Sequence, residues 1–332
     1  MATADQLKAL ISSHASGDDE RFYSVALQVA AREARSGHSS YAQEVRELVD
    51  SARGRLRSRS GATPVVTPRG DLAGLLSVAY PEDRLSDLAL DRPVQDLLER
   101  VLLELRQRDR LHEHGFRPMR RLLFVGPPGT GKTMSARVLA SELRLPLFSV
   151  RLDGLITKFM GETAAKLRLI FDALAVTQGV YLFDEVDALA GARDQGNDVG
   201  EIRRVLNSFL QFLEFDQSDS VVVATSNLPD VLDRALFRRF DLTIEYPLPG
   251  PPVTRRLIEN RLAGLDLGSI DWRRVGPAAR GLSHAEITLA AERAAKDSIL
   301  SQNPRLTTEA MIASLRERRA GTARTRSANA AS

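Results

Sequence analysis

Cysteine is absent from the 332 residues, which excludes a disulfide scaffold, thiolate zinc sites and a cysteine nucleophile. Long apolar runs are absent as well. Stretches such as Leu122–Val125 and Val221–Ala224 fall far short of the roughly 20 residues that span a bilayer. The opening MATADQLKAL has neither the basic leader nor the apolar centre of a secretory signal, so a cytoplasmic protein is expected. Aromatic residues are few, at 5%. Lysine is scarcer still, with only Lys8, Lys132, Lys158, Lys166 and Lys296 among 46 basic residues. Setting those 46 against 43 acidic residues leaves +3, too close to neutral to argue for a nucleic-acid partner. What is present, 43% hydrophobic and 27% charged residues, suits a globular chain of two or three folding units.

Three short stripes in residues 1–52 have helical spacing: Leu7, Leu10 and Ile11; Phe22, Val25, Ala26 and Val29; Val45, Leu48 and Val49. They predict a small helical domain. Residues 53–70, RGRLRSRSGATPVVTPRG, mix prolines, glycines and arginines and predict an extended linker. Apolar positions from Asp87 to Leu111 fit one helix. Four apolar runs then alternate with helical patterns: Arg121–Val125, Leu147–Leu152, Val180–Phe183 and Val221–Ala224. A fifth, Thr243–Tyr246, follows a shorter link. Buried runs separated by crossover helices predict an α/β unit over residues 71–249, a parallel sheet flanked by helices. After the segment PLPGPP the pattern is helical, predicting a helical subdomain over 250–319, and residues 320–332 predict a disordered tail.

Gly126-Pro127-Pro128-Gly129-Thr130-Gly131-Lys132-Thr133 follows a predicted strand and precedes a predicted helix, the required context of a phosphate loop. Its glycines let backbone N–H groups turn toward phosphate oxygens, and the helix adds its positive end. Lys132 suits the β- and γ-phosphates and Thr133 a magnesium ion. The run Val180–Phe183 then delivers Asp184 and Glu185 to the strand end where ligands bind in open α/β sheets. Asp184 is expected to hold Mg2+ and Glu185 to polarise the attacking water. Loop and acidic strand together predict a nucleoside-triphosphate hydrolase.

With these motifs on the chain, residues from about Met119 to Ala295 resemble the AAA+ family, and within it the ring-forming protein unfoldases and remodellers. The resemblance implies an AAA+ P-loop core, a C-terminal helical lid and a small N-terminal helical domain that recruits a substrate or partner. It implies that Asn227, ending VVVATSN, is the polar residue called sensor 1. In LDRALFRRFD it implies that Arg238 and Arg239 reach a neighbouring subunit's nucleotide, so that the active form is a homo-oligomer, a hexamer in this branch. Lys158-Phe159-Met160-Gly161, followed by Glu162, resembles the pore loop that grips a threaded polypeptide.

Looser correspondences are His284, where the family has glycine at the opening of a lid helix near the adenine and ribose and where the ring either packs on the nucleotide or, the favoured reading, caps the helix, and Arg293 as a weak sensor-2 candidate. Glu214-Phe215-Asp216 is a further one, as a segment signalling between subunits.

The leading expectation is an ATP-driven ring that unfolds or threads protein, with any peptidase on a separate chain, since no H-E-x-x-H helix or serine elbow occurs. A nucleic-acid-acting relative, of the helicase-loader or transposition-regulator type, is the alternative, supported by the arginine-rich linker. A slow nucleotide-switched scaffold is the third, and Glu185 argues against it.

Overall fold

The computed structural model describes residues 70–155, 162–189, 199–228, 234–301 and 305–330, with a few isolated positions before residue 70. The chain divides into two compact units, Met1–Pro64 and Val65–Ser332. But for those isolated positions, the helices expected over 1–52 and the linker over 53–70 lie outside the described residues. So does the segment Lys158–Gly161.

Six strands form the sheet of the second unit: β1 (Leu76–Ala79), β2 (Arg121–Val125), β3 (Leu147–Val150), β4 (Val180–Phe183), β5 (Val221–Ser226) and β6 (Leu242–Glu245), in the order β1-β3-β4-β5-β2-β6. All pair in parallel except β1, which runs antiparallel to β3 with Leu76 opposite Val150 and Ala79 opposite Leu147. The sheet is therefore mixed. The parallel sheet expected from five runs holds for β2 to β6, and β1 escapes sequence reading because LSVA is short and only partly buried at the edge. Every residue of β4 and β5 is buried, as strands covered on both faces require.

Side chains alternate between two cores. Helices α1 (Arg92–Arg106) and α2 (Lys132–Leu143) cover one face and α3 (Glu162–Val176) and α4 (Val199–Phe215) the other, where Leu123, Phe148, Tyr181, Phe183 and Val222 pack against them. Many of the scarce aromatics gather there, with Phe183 edge-on to Phe209 at 4.9 Å and Phe148 stacked on Tyr181 at 4.6 Å. On the first face Leu122, Phe124, Leu182 and Val223 meet α1 and α2. From Pro251 onward the chain is helical: α5 (Pro251–Arg261), α6 (Trp272–Ala279), α7 (His284–Leu300) and α8 (Thr308–Ala330) enclose a third core around Ile258, Val275, Ile287, Ala291, Met311 and Leu315.

Two expectations are corrected. The helix read from Asp87 begins only at Arg92, because Pro93 sits in its first turn and Asp91 caps it in extended conformation. Leu88–Leu90 are consequently not helical but open chain leading into it. The tail expected to be disordered continues α8 as far as Ala330, consistent with its alanines and arginines, which are strong helix formers.

Candidate active site

The phosphate loop leaves the C-terminal end of β2, the centre of the cavity's floor. Gly126 stands at φ 143°, and a Cβ there would lie 2.3 Å from the Tyr246 carbonyl oxygen, so only glycine fits. Gly129, at φ 74°, is pressed from the other side: its Cβ would meet Ser283 Oγ at 2.8 Å. The Ala285 N–H donates to the Gly129 carbonyl at 3.0 Å, so α7 docks its first turn directly on the loop. Ser283 caps that helix and forms a capping box with Glu286. The cap is thus not His284, which stands one residue inside the helix and lines the cavity instead.

Lys132 opens α2. Its ammonium donates to the Gly126 carbonyl (2.7 Å), the Pro127 carbonyl (2.9 Å) and Asn227 Oδ1 (2.8 Å). Burial holds its pKa below the ordinary lysine value, opposed by the carboxylates of Asp184, Asp187 and Glu185. Thr133 donates its hydroxyl to Asp184 at 3.1 Å.

Beyond β4 the chain turns sharply. Glu185 is in the left-handed region at φ 58°, which costs a non-glycine residue about 1–3 kcal/mol. Asn227 Nδ2 donates to Glu185 Oε1 at 3.0 Å, so one amide joins Lys132 to Glu185. The Asn227 N–H donates to Asp187 Oδ1 at 3.1 Å. Of the sequence-predicted groups, Gly129, Lys132, Thr133, Asp184, Glu185 and Asn227 line one cavity of about 540 Å³.

Of the cavity's far wall, only the position of His284 was among the sequence expectations. Leu88, Ala89 and Leu90 form it together with Leu257, His284 and Leu289. Arg256 of α5 donates to the Leu90 carbonyl at 2.5 Å, tying the helical subdomain to this wall. Burial lowers the His284 pKa, opposed by the Ala89 backbone and the Asp91 carboxylate. The only available signal was Pro93, which marks where the helix starts and hence what precedes it.

Such a cavity pairs an apolar wall with a cationic, N–H-rich floor, which suits a flat base joined to a polyanion. Among the described residues no three His, Cys, Asp or Glu side chains converge to hold a metal ion unaided. Thr133 with Asp184 instead offers the sparse hard-oxygen set typical of a magnesium ion shared with phosphates.

Residues 122–248 match the family described as "ATPase family associated with various cellular activities (AAA)". Over 328 residues the chain is 33% identical to an uncharacterized AAA family ATPase, y4kL, of Sinorhizobium fredii, covering 98% of each protein. The chain belongs to the AAA family of ATPases. This AAA ATPase is also 33% identical over 206 residues to a proteasome-activating nucleotidase of Thermococcus onnurineus, spanning 60% of its own length and 52% of that protein. It is 31% identical over 249 residues to the ATP-dependent zinc metalloprotease FtsH of Acidimicrobium ferrooxidans, spanning 70% and 38%. As a member of the family it binds nucleotide and hydrolyses ATP.

The remaining candidates of the AAA ATPase lie elsewhere. Arg238 and Arg239 precede the N-terminal end of β6, whereas the phosphate loop follows the C-terminal end of the parallel neighbour β2. A strand length of about 13 Å lies between the two ends. Arg239 pairs with Glu214 at 2.6 Å, and Arg238 is exposed. Asp216 is ion-paired with Arg120, both side chains nearly fully buried, while Phe215 is exposed. Arg293 pairs with Glu317 at 3.1 Å and does not line the cavity. Among the described residues no helix is long and apolar enough to cross a membrane.

Proposed function

We propose that this AAA ATPase is an oligomeric motor, hexameric as a ring, that uses ATP hydrolysis with Mg2+ to unfold or remodel protein substrates. The observation that carries the oligomeric part is the separation just described. Arg238 and Arg239 stand a strand length from their own phosphate loop, so a guanidinium that completes a site must serve another subunit's. The printed names of the nucleotidase and FtsH relatives support a protein substrate, as does the sequence Lys158-Phe159-Met160-Gly161. Within this reading the N-terminal unit recruits substrate or partner, the helices after Pro251 act as a lid, and the protein is cytoplasmic, in keeping with a chain that has no cysteine.

In the site, backbone N–H groups of the loop and Lys132 bind the β- and γ-phosphates, and Thr133 and Asp184 are the groups that hold the metal. Mg2+ supplies charge neutralisation at the phosphates when bound. Glu185 Oε1 accepts a proton from the attacking water, and Asn227 orients that carboxylate through its Nδ2. The exposed guanidinium of Arg238 and, once released from Glu214, that of Arg239 stabilise charge on the neighbour's transferring phosphoryl group.

The test is steady-state ATP hydrolysis with and without an unfolded protein or DNA. Stimulation by unfolded protein is expected; stimulation by DNA alone would move the reading to the nucleic-acid class. Glu185→Gln is expected to keep ATP binding and lower turnover by at least about 100-fold. Turnover at the wild-type rate would remove Glu185 from its role.

A further inference from the structure

We infer that Thr225 is a positioning residue for hydrolysis, a single hydroxyl that sets both acidic groups of the site. β5 pairs with β4 so that Ala224 lies opposite Phe183, and the next residues along the chain, Thr225 within β5 and Asp184 just after β4, stand side by side beyond the ladder. Thr225 is 1% exposed. Its hydroxyl donates to Asp184 Oδ1 at 2.5 Å and accepts the Glu185 N–H at 2.9 Å. A hydroxyl has one proton and two lone pairs, so these two bonds use its donor and one of its acceptors.

The consequence differs for the two acids. Asp184 is gripped from two elements, by Thr225 on β5 and by Thr133 on α2, which fixes the plane of the carboxylate that offers itself to a metal. Glu185 is gripped at its backbone, and that bond holds the residue in its left-handed conformation at φ 58°. From there the side chain reaches Asn227. β-Branching at Thr225 restricts its χ1, so the hydroxyl is aimed by the strand itself. Nothing in the phosphate loop or in Asn227 duplicates this double contact.

The inference rests on the roles of Asp184 and Glu185 proposed above, and its test runs with Glu185→Gln in parallel. Thr225→Val keeps the shape and removes the hydroxyl; Thr225→Ser keeps the hydroxyl. Thr225→Val is expected to bind a fluorescent ATP analogue as the wild type does, to lose about 10–100-fold in kcat, and to need more Mg2+ for half-maximal rate, as removal of an outer partner of a metal ligand does. Thr225→Ser is expected to recover most of that loss. If Thr225→Val does not fold, judged by its melting curve, Thr225→Ala against Thr225→Ser carries the same contrast.

Wild-type kcat and Mg2+ dependence in the hydroxyl-less variant would overturn the inference, as would a Ser variant as slow as the Val or Ala variant. A slow Glu185→Gln beside a fast Thr225→Val would overturn this role alone. A fast Glu185→Gln would overturn the reading of the site beneath it.

Discussion

The two ends of the sheet use charge differently. At the C-terminal end, beside an open cavity, Lys132 is joined through the Asn227 amide to Glu185, and Asp184 is held by the Thr133 and Thr225 hydroxyls. At the N-terminal end three arginines are already paired. Arg120 is buried against Asp216, with side chains 9% and 3% exposed, and Arg121 holds Asp241 at 2.8 Å. Arg239–Glu214, 41% and 46% exposed, is the loosest of the three. In a chain so rich in arginine, solvent exposure separates cations that hold the fold from those free to act elsewhere. Breaking a buried pair costs about 3–5 kcal/mol, whereas an exposed pair is worth about 0.2–1 kcal/mol. Only the exposed arginine can leave its partner cheaply.

The largest effect is expected where this distinction matters to chemistry. Arg238→Ala or Arg239→Ala should lower ATP turnover by about 10³-fold or more while the melting temperature stays near that of the wild type. Mixing Arg239→Ala chains with Glu185→Gln chains should restore part of the rate, because some interfaces then join an intact Glu185 to an intact Arg239. Full activity in a dilute monomer, established by sedimentation under assay conditions, would break the comparison by showing that no neighbour is needed.

Next in size is the contrast between the paired arginines themselves. Asp216→Ala leaves the Arg120 guanidinium buried without its carboxylate and should destabilise the protein by about 3–5 kcal/mol. Glu214→Ala removes an exposed partner and should change stability by less than about 1 kcal/mol. Chemical denaturation of the two variants measures both. Equal losses would mean that exposure does not sort these pairs.

How much of this was legible in the sequence follows from the range of each interaction. The phosphate loop, Asp184 and Glu185 could be read because contiguous glycines and an apolar run ending in two acids carry their own context. Thr225 and Asp187 could not. Thr225 looks like any strand residue, and its contact with Asp184 exists only because β5 pairs with β4 in one register. Leu88 and Leu90 fit the helix on spacing alone because Leu90, Val94, Leu97 and Leu98 recur at three and four residues across the boundary, and Pro93 in the first turn marks where the helix starts. Arg238 and Arg239 were legible as a motif, but their distance from their own phosphate loop needed the parallel pairing of β2 with β6.

The smallest effect is expected on the lid side of the cavity, where a titratable group is held neutral by burial and not by a partner. Nδ1 of His284 is buried and has no hydrogen-bond partner among the described residues. Burial lowers the ring's pKa below the ordinary 6.5, and the Ala89 backbone and Asp91 only partly counter it. The unfolded chain therefore takes up this proton more readily than the folded one. The sign follows: the contribution to stability is complete above pH 6.5 and is lost as pH falls through the lower, folded-state value. His284→Ala should flatten that part of the stability profile, and the wild-type-minus-variant difference cancels the other four histidines. A wild-type profile that rises toward acid relative to the variant would mean that Asp91 dominates and that the ring is held charged against the lid.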